Sequence, residues 1–420
     1  MPKIAIVAGE ASGDLLGCHL MRALKAQRSD LIFIGIAGPK MMSEGAKSLF
    51  PIEKLSVRGY LEVLTHLYGL LKLRKSLLKQ LLAEKPDIFI GVDAPDFNFW
   101  LERQLKKRGI PAIHYVSPSI WAWRGGRMAK IKRAVSHVLA LFPFEPALYE
   151  KAKVPVTFIG HPLADEIPLK PNKQEARDLL KIENGKVVVA MLPGSRQSEV
   201  RQHADLFIKT AQIIHQDNPS LQSNGVQFLV PLVTRETRQI FEQALYKNLQ
   251  ERMTLEKLGL EKKLQDKAES ENLSSEHINS EHLNLQHMQI DILFGHAHNA
   301  MQAADVVLVA SGTATLEAAL LKRPMVITYR MPTLSWWILK RMNYLPYVGL
   351  PNILAGKFVV PELLQKEATP QKLADAVSLL LVDKTRIKEI EQEFTTIHKS
   401  LKQDSAKKAA AVVLSYLRPS

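Results

Sequence analysis

Residues 305–321, DVVLVASGTATLEAALL, decide the fold of the chain. Their first part, 306–309, is a continuous apolar run that is typical of a buried parallel strand. The run ends at Ser311, Gly312 and Thr313, where an Ala- and Leu-rich helical pattern begins. A strand that enters a helix through such a turn leaves N–H groups unpaired at the helix N-terminus, where they can hold a phosphate. The stretch therefore predicts an α/β fold with an anion site at this turn.

Glu317 lies within the first two turns of the predicted helix, close to this anion site. A carboxylate there can accept hydrogen bonds from two hydroxyl groups, such as those of a nucleotide's ribose. The alternative is an ordinary strand–helix junction with a surface glutamate, because short Gly-containing turns are weak motifs on their own. These residues alone leave both interpretations open.

Length and composition indicate a globular protein of several domains. The 420 residues predict two or three domains, and 46% hydrophobic with 23% charged residues is an ordinary composition. The single cysteine, Cys18, excludes a disulfide framework and fits a reducing compartment. The N-terminus begins with a strand pattern and no run reaches about 18 apolar residues, so we expect no signal peptide and no membrane span. The expected location is the cytoplasm or the cytosolic surface of a membrane.

The chain is strongly basic, since 56 Lys and Arg residues against 42 Asp and Glu residues give a net charge of +14. Such a charge favours an anionic partner, which could be nucleic acid, an anionic lipid surface or a phosphorylated substrate. No nucleic-acid-binding motif accompanies the charge. We therefore expect lipid or phosphate as the partner and no nucleic acid.

Strand–turn–helix patterns recur on both sides of a proline-rich segment at about 161–172, which we interpret as an interdomain linker. The pattern predicts an α/β chain of two Rossmann-like domains that face an interdomain cleft, followed by C-terminal helices. The predicted strands are 3–9, 31–36, 87–92, 112–116, 138–142, 156–159, 186–191, 227–233, 306–309 and 325–329.

Acidic and basic side chains follow several of these strands. Glu10 follows 3–9, and Asp93 follows 87–92, at the strand ends where α/β proteins bind ligands. The alternatives are that Glu10 orders its loop and that Asp93 caps a turn; Asp96 is expected to cap the next turn. In the second half, Arg196 in LPGSR (192–196) offers a permanent charge and a two-pronged donor for phosphate oxygens.

A long helix is predicted over 58–85, with a wide leucine face and mainly cationic neighbours. This pattern suits a helix that lies on a membrane surface, and a buried core helix with a basic edge is the alternative. Residues 246–290 are instead rich in Lys, Glu, Gln, Ser and Asn, and predict a solvated helical insertion. Its histidines, His277, His282 and His287, are spaced by five and do not converge on one metal ion.

Eight segments together resemble one family. The chain closely resembles the lipid-A-disaccharide synthases, and the one departure is the insertion at 246–290, which touches no motif. The segments are GEASGD (9–14), VRGYLEVL (57–64), GVDAPDFN (91–98), HYVSPSIWAWR (114–124), FIGHPLAD (158–165), LPGSR (192–196), SGTATLEAAL (311–320) and LPNILAG (350–356).

The resemblance implies the GT-B arrangement and a single-displacement, inverting sugar transfer. A 2,3-diacylglucosamine unit would pass from its UDP conjugate to the 6-hydroxyl of 2,3-diacylglucosamine 1-phosphate, giving the β-1,6 disaccharide phosphate of lipid A synthesis and UDP. Such chemistry needs a base near the acceptor hydroxyl and positive groups around the leaving diphosphate. No cofactor is implied, and no Asp-x-Asp motif is present to hold a metal.

The resemblance also implies roles for individual residues. Asp93 is the expected general base, with Glu10 as its competitor, and Glu317 is expected on the ribose. Arg196 would stabilise the leaving UDP together with the backbone at Ser195 and at Ser311, Gly312 and Thr313. Asn352 is expected to contact the donor. His161 is expected to shape the interdomain hinge rather than to transfer protons.

The resemblance assigns residues 1–165 to an acceptor-side domain with the membrane-surface helix and 166–390 to a UDP-sugar donor domain. Residues 391–420 are a helical tail that can pack on the first domain. The implied partners are UDP-diacylglucosamine, diacylglucosamine 1-phosphate and the cytosolic face of the inner membrane, and a homodimer is left open. The alternatives are another UDP-sugar enzyme, such as a lipid-linked glycosyltransferase or a UDP-sugar 2-epimerase, and a non-catalytic lipid- or nucleic-acid-binding protein.

Overall fold

The computed structural model describes residues 1–55, 60–118, 120, 125–217, 225–270, 288–332, 336 and 346–417, except for the side chains of 60–67, 125, 252, 253 and 255–270. The chain divides into two compact units. The first comprises Met1–Pro168 and the C-terminal residues from His398, and the second comprises Leu169–Ile338 and Leu345–Ile397.

The first unit is built on a seven-stranded parallel sheet. Its strands are β1 (Lys3–Ala8), β2 (Ile32–Ile36), β3 (Lys47–Ser48), β4 (Ile88–Val92), β5 (Ala112–Tyr115), β6 (His137–Ala140) and β7 (Val156–Phe158). Their order in the sheet is β3-β2-β1-β4-β5-β6-β7. The helices are α1 (Ala11–Gln27), α2 (Pro39–Ser43), α3 (Tyr60–Glu84), α4 (Pro95–Lys106), α5 (Met128–Ala134), α6 (Glu145–Lys151) and α7 (Pro162–Glu166), with 3₁₀ turns at Ile52–Lys54 and Gly125–Arg127.

The second unit is built on a six-stranded parallel sheet. Its strands are β8 (Val187–Leu192), β9 (Val226–Leu232), β10 (Gln289–Phe294), β11 (Val306–Ala310), β12 (Met325–Tyr329) and β13 (Glu362–Leu364), in the order β10-β9-β8-β11-β12-β13. The helices of residues 173–415 follow in chain order, and the last of them belongs to the first unit. They are α8 (Lys173–Leu179), α9 (Gln197–Asp217), α10 (Arg235–Ser270), α11 (Ala297–Ala303), α12 (Thr313–Leu320), α13 (Leu350–Ala355), α14 (Pro370–Val382), α15 (Lys384–Leu401) and α16 (Ser405–Ser415).

Continuous apolar runs form the central strands of both sheets. Every residue of β4 and of β11 is buried, because helices cover both faces of a parallel sheet and neither face of a strand meets water. The prediction of two Rossmann-like domains is thereby confirmed. The cleft predicted between them stays a prediction.

Each sheet has one point where the chain order reverses, between β1 and β4 in the first and between β8 and β11 in the second. Such topological switch points are where open α/β sheets bind ligands, outside the carboxyl ends of the strands. The stretch 305–321 supplies β11 and α12, so its turn lies at the second switch point.

Three strands, β3, β10 and β13, were missing from the sequence prediction. Two of them have only two or three residues, and all three lie at sheet edges. In β10, QIDILF, the polar residue Asp291 interrupts the apolar run. Its carboxylate accepts a hydrogen bond from Gln227 on the neighbouring strand β9. An edge strand of this kind lacks the continuous apolar run by which a central strand is recognised.

A helix predicted in the insertion is present, since α10 extends through residues 246–270. Lys247 and Glu251 form one pair of the predicted charge ladder, at 3.6 Å between Nζ and Oε1. Residues 271–287, which include the three spaced histidines, lie outside the described residues, as do Trp121, Trp123 and Trp337.

The C-terminal helix α16 packs against α1 of the first unit. Ala409, Ala410 and Val413 share a buried core with Leu20 and Met21. The end of the chain therefore completes the fold of its beginning.

Candidate active site

Two carboxylates lie at the first switch point. Glu10 follows β1 and Asp93 follows β4, and the two strands pair in register up to Ala8 and Val92. Their loops approach closely, since a Cβ added to Gly9 would lie 2.6 Å from the Cβ of Ala94. Glu10 is exposed and precedes α1 as its N-cap without a side-chain hydrogen bond. The two candidate bases therefore share one edge of the sheet.

Asp93 occupies an unusual backbone conformation. Its φ is 52°, and that of the next residue, Ala94, is 43°. Left-handed conformations cost a non-glycine residue about 1 to 3 kcal/mol, and they persist only where neighbours enforce them. Here the Asp93 N–H donates to the carbonyl of Tyr115, and the Asn98 side chain donates to the Asp93 carbonyl, both at 2.8 Å. The turn that presents the Asp93 carboxylate is thus held from both ends.

A buried polar pair lies behind this turn. His114 Nδ1 and Glu102 Oε1 are 2.7 Å apart and both side chains are fully buried. Burial raises the pKa of the Glu102 carboxyl, and the adjacent His114 opposes that rise. The pair fits against Gly91, where an added Cβ would lie 2.3 Å from Glu102 Oε1. Sequence reasoning missed the pair, because Glu102 lies outside the quoted motifs and 12 positions away from His114, which opens the segment 114–124.

Other acidic residues of the motifs serve the fold. Asp14 is buried and accepts hydrogen bonds from the N–H groups of Gly38, Lys40 and Met41, so it caps α2. The expected turn-capping role of Asp96 is wrong. The N-cap of α4 is Ala94, and the Asp96 carboxylate instead accepts a hydrogen bond from Arg127 at 3.0 Å.

His161 is also a structural residue. Its Nδ1 accepts the N–H of Leu163 at 3.2 Å, and its own N–H donates to the carbonyl of Leu401. Burial lowers the pKa of His161 to about 4, so the ring is neutral at neutral pH. The side chain caps α7, and the backbone joins that helix to the C-terminal segment.

At the second switch point, the turn after β8 carries Ser195 and Arg196. The N–H groups of both residues donate to Glu199 Oε2, at 3.0 and 3.1 Å. The Arg196 side chain is 71% exposed, with its Nη1 3.6 Å from Glu199 Oε1. The backbone donors expected to face UDP are therefore satisfied by Glu199, whereas the guanidinium projects into solvent.

The turn after β11 differs, because two of its three N–H groups are open. The N–H of Ser311 donates to the carbonyl of Thr328 at 3.0 Å. Gly312 is the N-cap of α12, with a φ of 152° that side chains rarely adopt, and it has no side-chain cap. Gly312 and Thr313 are exposed, and within the described residues their N–H groups have no backbone acceptor. Gly312 and Thr313 can therefore offer N–H groups to an anion, whereas the expected backbone donor of Ser311 is already used. The phosphate site at this turn stays a prediction.

Glu317 lies on α12 next to a histidine that sequence reasoning missed. His298 Nδ1, on α11, is 2.8 Å from Glu317 Oε1. The side chains are 43% and 23% exposed, so both groups can meet a ligand. The sequence around His298, FGHAHNAM, follows an unpredicted strand, and without that strand the histidine had no assigned place.

Asn352, the expected contact with the donor, lies in a hydrogen-bonded network. Its side chain is fully buried, donates to Val360 and Glu362, and accepts the N–H groups of Val359 and Val360. These four bonds use its whole hydrogen-bonding capacity. Glu362 in turn accepts the N–H groups of Val348 and Gly349, so the Asn352 side chain shapes this loop. Its contact with the donor stays a prediction.

Helix α3 presents apolar residues to solvent beside a groove. Tyr68 is 79% and Leu71 is 39% exposed. The groove has a volume of about 540 Å³ and combines apolar walls with two lysines. It is lined by Phe50, Lys54, Gly69, Leu70, Lys72, Leu73 and Ser76.

Within the described ranges, no helix combines the length and the apolar character that crossing a membrane requires. The same part of the chain holds no group of three or more His, Cys, Asp or Glu residues that could bind a metal ion.

Solved structures of other proteins share the fold. A UDP-GlcNAc 2-epimerase from Neisseria meningitidis bound to UDP-GlcNAc matches with a TM-score of 0.59 at 11% identity over 99% of each chain. A glycosyltransferase from Rickettsia africae matches with a TM-score of 0.54 at 13% identity, over 100% of this chain and 99% of that one. At these identities the likeness extends to the GT-B-like architecture alone.

Sequence relatives are far closer. The family model of lipid-A-disaccharide synthetase matches residues 4–275 and 269–416. A lipid-A-disaccharide synthase of Methylobacillus flagellatus is 58% identical over 100% of both chains. One of an Azoarcus strain is 52% identical over 100% of this chain and 97% of its own. The chain belongs to the lipid-A-disaccharide synthase family of glycosyltransferases.

Proposed function

We propose that the chain transfers 2,3-diacylglucosamine from its UDP conjugate to the 6-hydroxyl of 2,3-diacylglucosamine 1-phosphate. Its family membership gives the role in lipid A disaccharide synthesis, with UDP-sugar and lipid substrates. The observation that carries the residue assignments is that polar turns lie at both topological switch points. One carries two carboxylates and the other carries open N–H groups beside a guanidinium.

In this proposal Asp93 is the general base. Its carboxylate takes the proton of the acceptor 6-hydroxyl while that oxygen bonds to C1 of the donor sugar and the bond from C1 to the diphosphate oxygen breaks. The stiff turn supports this role, because a base must hold its position to within a hydrogen-bond length. Glu10 remains the competitor, being more exposed and less constrained.

The leaving UDP carries the charge that builds up in the transition state. The Arg196 guanidinium and the N-terminus of α12 at Gly312 and Thr313 would stabilise this negative charge. Because Glu199 already accepts the Ser195 and Arg196 N–H groups, Ser195 would contribute its hydroxyl. Glu317 would accept the ribose hydroxyls, with His298 orienting its carboxylate.

The substrates are lipids, so the enzyme would work from the cytosolic surface of the inner membrane as a peripheral protein. The exposed Tyr68 and Leu71 and the lysines of α3 support this location, since apolar and cationic side chains on one helix favour an anionic bilayer surface. The groove beside α3 is of a size and composition that suit an acyl chain.

One assay tests the function. The purified full chain is incubated in mixed micelles with UDP-2,3-diacylglucosamine and 2,3-diacylglucosamine 1-phosphate. We expect disaccharide phosphate and UDP in equal amounts, and a β linkage by NMR. UDP release without disaccharide, or C2 epimerisation of UDP-N-acetylglucosamine in a parallel reaction, would overturn the proposal and favour the alternative class of UDP-sugar enzyme.

A further inference from the structure

A cationic site lies next to the Asp93 turn, on the other flank of α3 from the groove. Arg74 of α3 stacks over the ring of Trp100, with its guanidinium carbon 4.5 Å from the ring centroid. Its Nη1 lies 3.5 Å from the carbonyl oxygen of Asp96. Arg127 approaches the same residue, with its Nη2 3.0 Å from Asp96 Oδ1. Two guanidinium groups thus converge on the first turn of α4, three residues after Asp93.

Arg74 has no counter-charge among the described residues. It forms none of the ion pairs found there, and its buried Nε has no hydrogen-bond partner. Burial lowers the pKa of the Arg74 guanidinium, which shows that its charge is partly removed from water. A half-buried cation with an unused donor is costly unless an anion accompanies it.

The remaining groups leave this corner positive. The Asp96 carboxylate pairs with Arg127, while Arg74 reaches the Asp96 backbone carbonyl. The carboxylate is 79% exposed, so solvent screens its charge. The N-terminus of α4 adds the positive end of a 12-residue helix that no side chain caps. Pro95 has no N–H, and the N–H groups of Phe97 and Asn98 donate to the Ala94 carbonyl, so among the described residues the Asp96 N–H is the donor left open at this helix end. Two guanidinium groups and an open helix end are the donor set that binds phosphate in many proteins.

We propose that Arg74 and Arg127, with the N-terminus of α4, bind the phosphate group of the acylated sugar that accepts the transfer. The inference rests on the proposed function and specifies its acceptor side. The phosphate is on C1 of the acceptor and the reacting hydroxyl is on C6, so one sugar ring separates them. With the phosphate bound by Arg74 and Arg127 beside the first turn of α4, the sugar ring would extend along the turn toward Asp93.

The test compares two acceptors that differ only in the phosphate: 2,3-diacylglucosamine 1-phosphate and 2,3-diacylglucosamine. The variants are Arg74→Met and Arg127→Met, in which a long side chain keeps the packing on neighbours, and Arg74→Gln as a second replacement. Lys107→Ala is the matched control, since it removes one exposed positive charge from the opposite end of α4. Thermal unfolding of each variant checks its fold.

We expect wild type to prefer the phosphorylated acceptor in kcat/KM. Arg74→Met should lose about tenfold to a hundredfold of kcat/KM with that acceptor, the range of a charge-assisted hydrogen bond, and change less than about threefold with the other. Arg127→Met should behave similarly, and Lys107→Ala should keep the wild-type preference. The KM for the UDP-sugar should not change.

Equal losses with both acceptors, or an equal loss in Lys107→Ala, would overturn the site. A binding arm separates this result from failure of the proposed function. Calorimetric titration of the phosphorylated acceptor in micelles needs no turnover, and it should be weakened in Arg74→Met. If wild type forms no disaccharide yet binds this lipid through Arg74, the function is wrong and the site stands. If wild type and Arg74→Met bind it equally, the site is wrong.

Discussion

At the scale of single residues, backbone strain distinguishes Asp93 from Glu10, Asp14 and Asp165. The carboxylates of Asp14 and Asp165 already accept hydrogen bonds that cap helices. Asp14 accepts the N–H of Gly38, and Asp165 accepts the N–H groups of Gln403, Asp404 and Ser405. No described residue donates a hydrogen bond to the Asp93 carboxylate, although its turn is fixed by Tyr115 and Asn98. A carboxylate held in place but left unsatisfied is suited to receive a proton from a ligand.

We predict that Asp93→Asn lowers kcat by about a hundredfold to ten-thousandfold, the usual contribution of a general base. Binding of UDP, measured by calorimetry, should stay within about twofold of wild type, because Asp93 belongs to the first unit and the UDP groups to the second. Glu10→Gln is the comparison and should keep most of the activity. If Glu10→Gln is inactive while Asp93→Asn turns over, the base is Glu10.

A second prediction concerns Glu317. Glu317→Gln should weaken UDP binding by about tenfold or more, since the amide nitrogen of Gln cannot accept a hydrogen bond from a ribose hydroxyl. His298→Gln should have a smaller effect, because it removes only the group that orients Glu317. Glu183→Gln, a 75% exposed glutamate of the same unit, is the control and should bind UDP like wild type. Unchanged UDP affinity in Glu317→Gln would remove Glu317 from the ribose site.

At the scale of elements, α3 has two different sides. Leu77 and Leu81 are fully buried and belong to the core, which matches the core-helix interpretation of the sequence. Tyr68 and Leu71 are exposed beside Lys72 and Lys75, which matches the surface interpretation. The core interpretation is therefore confirmed for Leu77 and Leu81, and the membrane-surface interpretation stays a prediction for the exposed side. The leucine face is wider than the contact area, so part of it lies outside the core.

We therefore predict that the double variant Tyr68→Ser, Leu71→Ser binds anionic lipid vesicles about tenfold more weakly than wild type, through loss of apolar area. The stability should change little, since both side chains are already exposed. Leu379→Ser with Val382→Ser on α14 is the matched control, with exposures of 59% and 61%. Co-sedimentation at low salt measures the binding, and equal loss in both double variants would contradict a membrane role of α3.

At the scale of the whole molecule, the C-terminal residues complete the first unit. The backbone bond from His161 to Leu401, the capping of α16 by Asp165 and the packing of α16 on α1 assign the last residues to the first unit. His398, also buried, is 2.9 Å from the carbonyl oxygen of Ala164. The stability of the first unit therefore depends on residues at both ends of the sequence.

The buried His161 at this junction predicts that the stability of the protein depends on pH. Burial lowers the pKa of His161 from the usual 6.5 to about 4, so between these values the unfolded chain binds a proton that the folded chain excludes. The free energy of unfolding should then fall as the pH is lowered through this window. His161→Asn can still accept the Leu163 N–H through its side-chain oxygen but cannot titrate. Chemical denaturation between pH 7 and 4 should show a smaller decline for His161→Asn than for wild type, and equal slopes would contradict the assignment.

The sequence by itself determined the fold class, the central strands and the family. Buried parallel strands are continuous apolar runs, and turns that carry chemistry are short contiguous segments, so both are visible along the chain. The turn in 305–321 is the clearest case, since its strand, its open N–H groups and Glu317 all lie within one stretch.

Only the tertiary structure decided which partners those residues have. It satisfied the Ser195 and Arg196 N–H groups with Glu199, gave Glu317 a neighbour in His298, and withdrew Asn352 into a buried network. It also brought Arg74 and Arg127 to the Asp93 turn from 22 and 31 positions away from Asp96. Such contacts join residues distant in sequence, and their formation depends on helix packing and sheet order, which no local pattern contains.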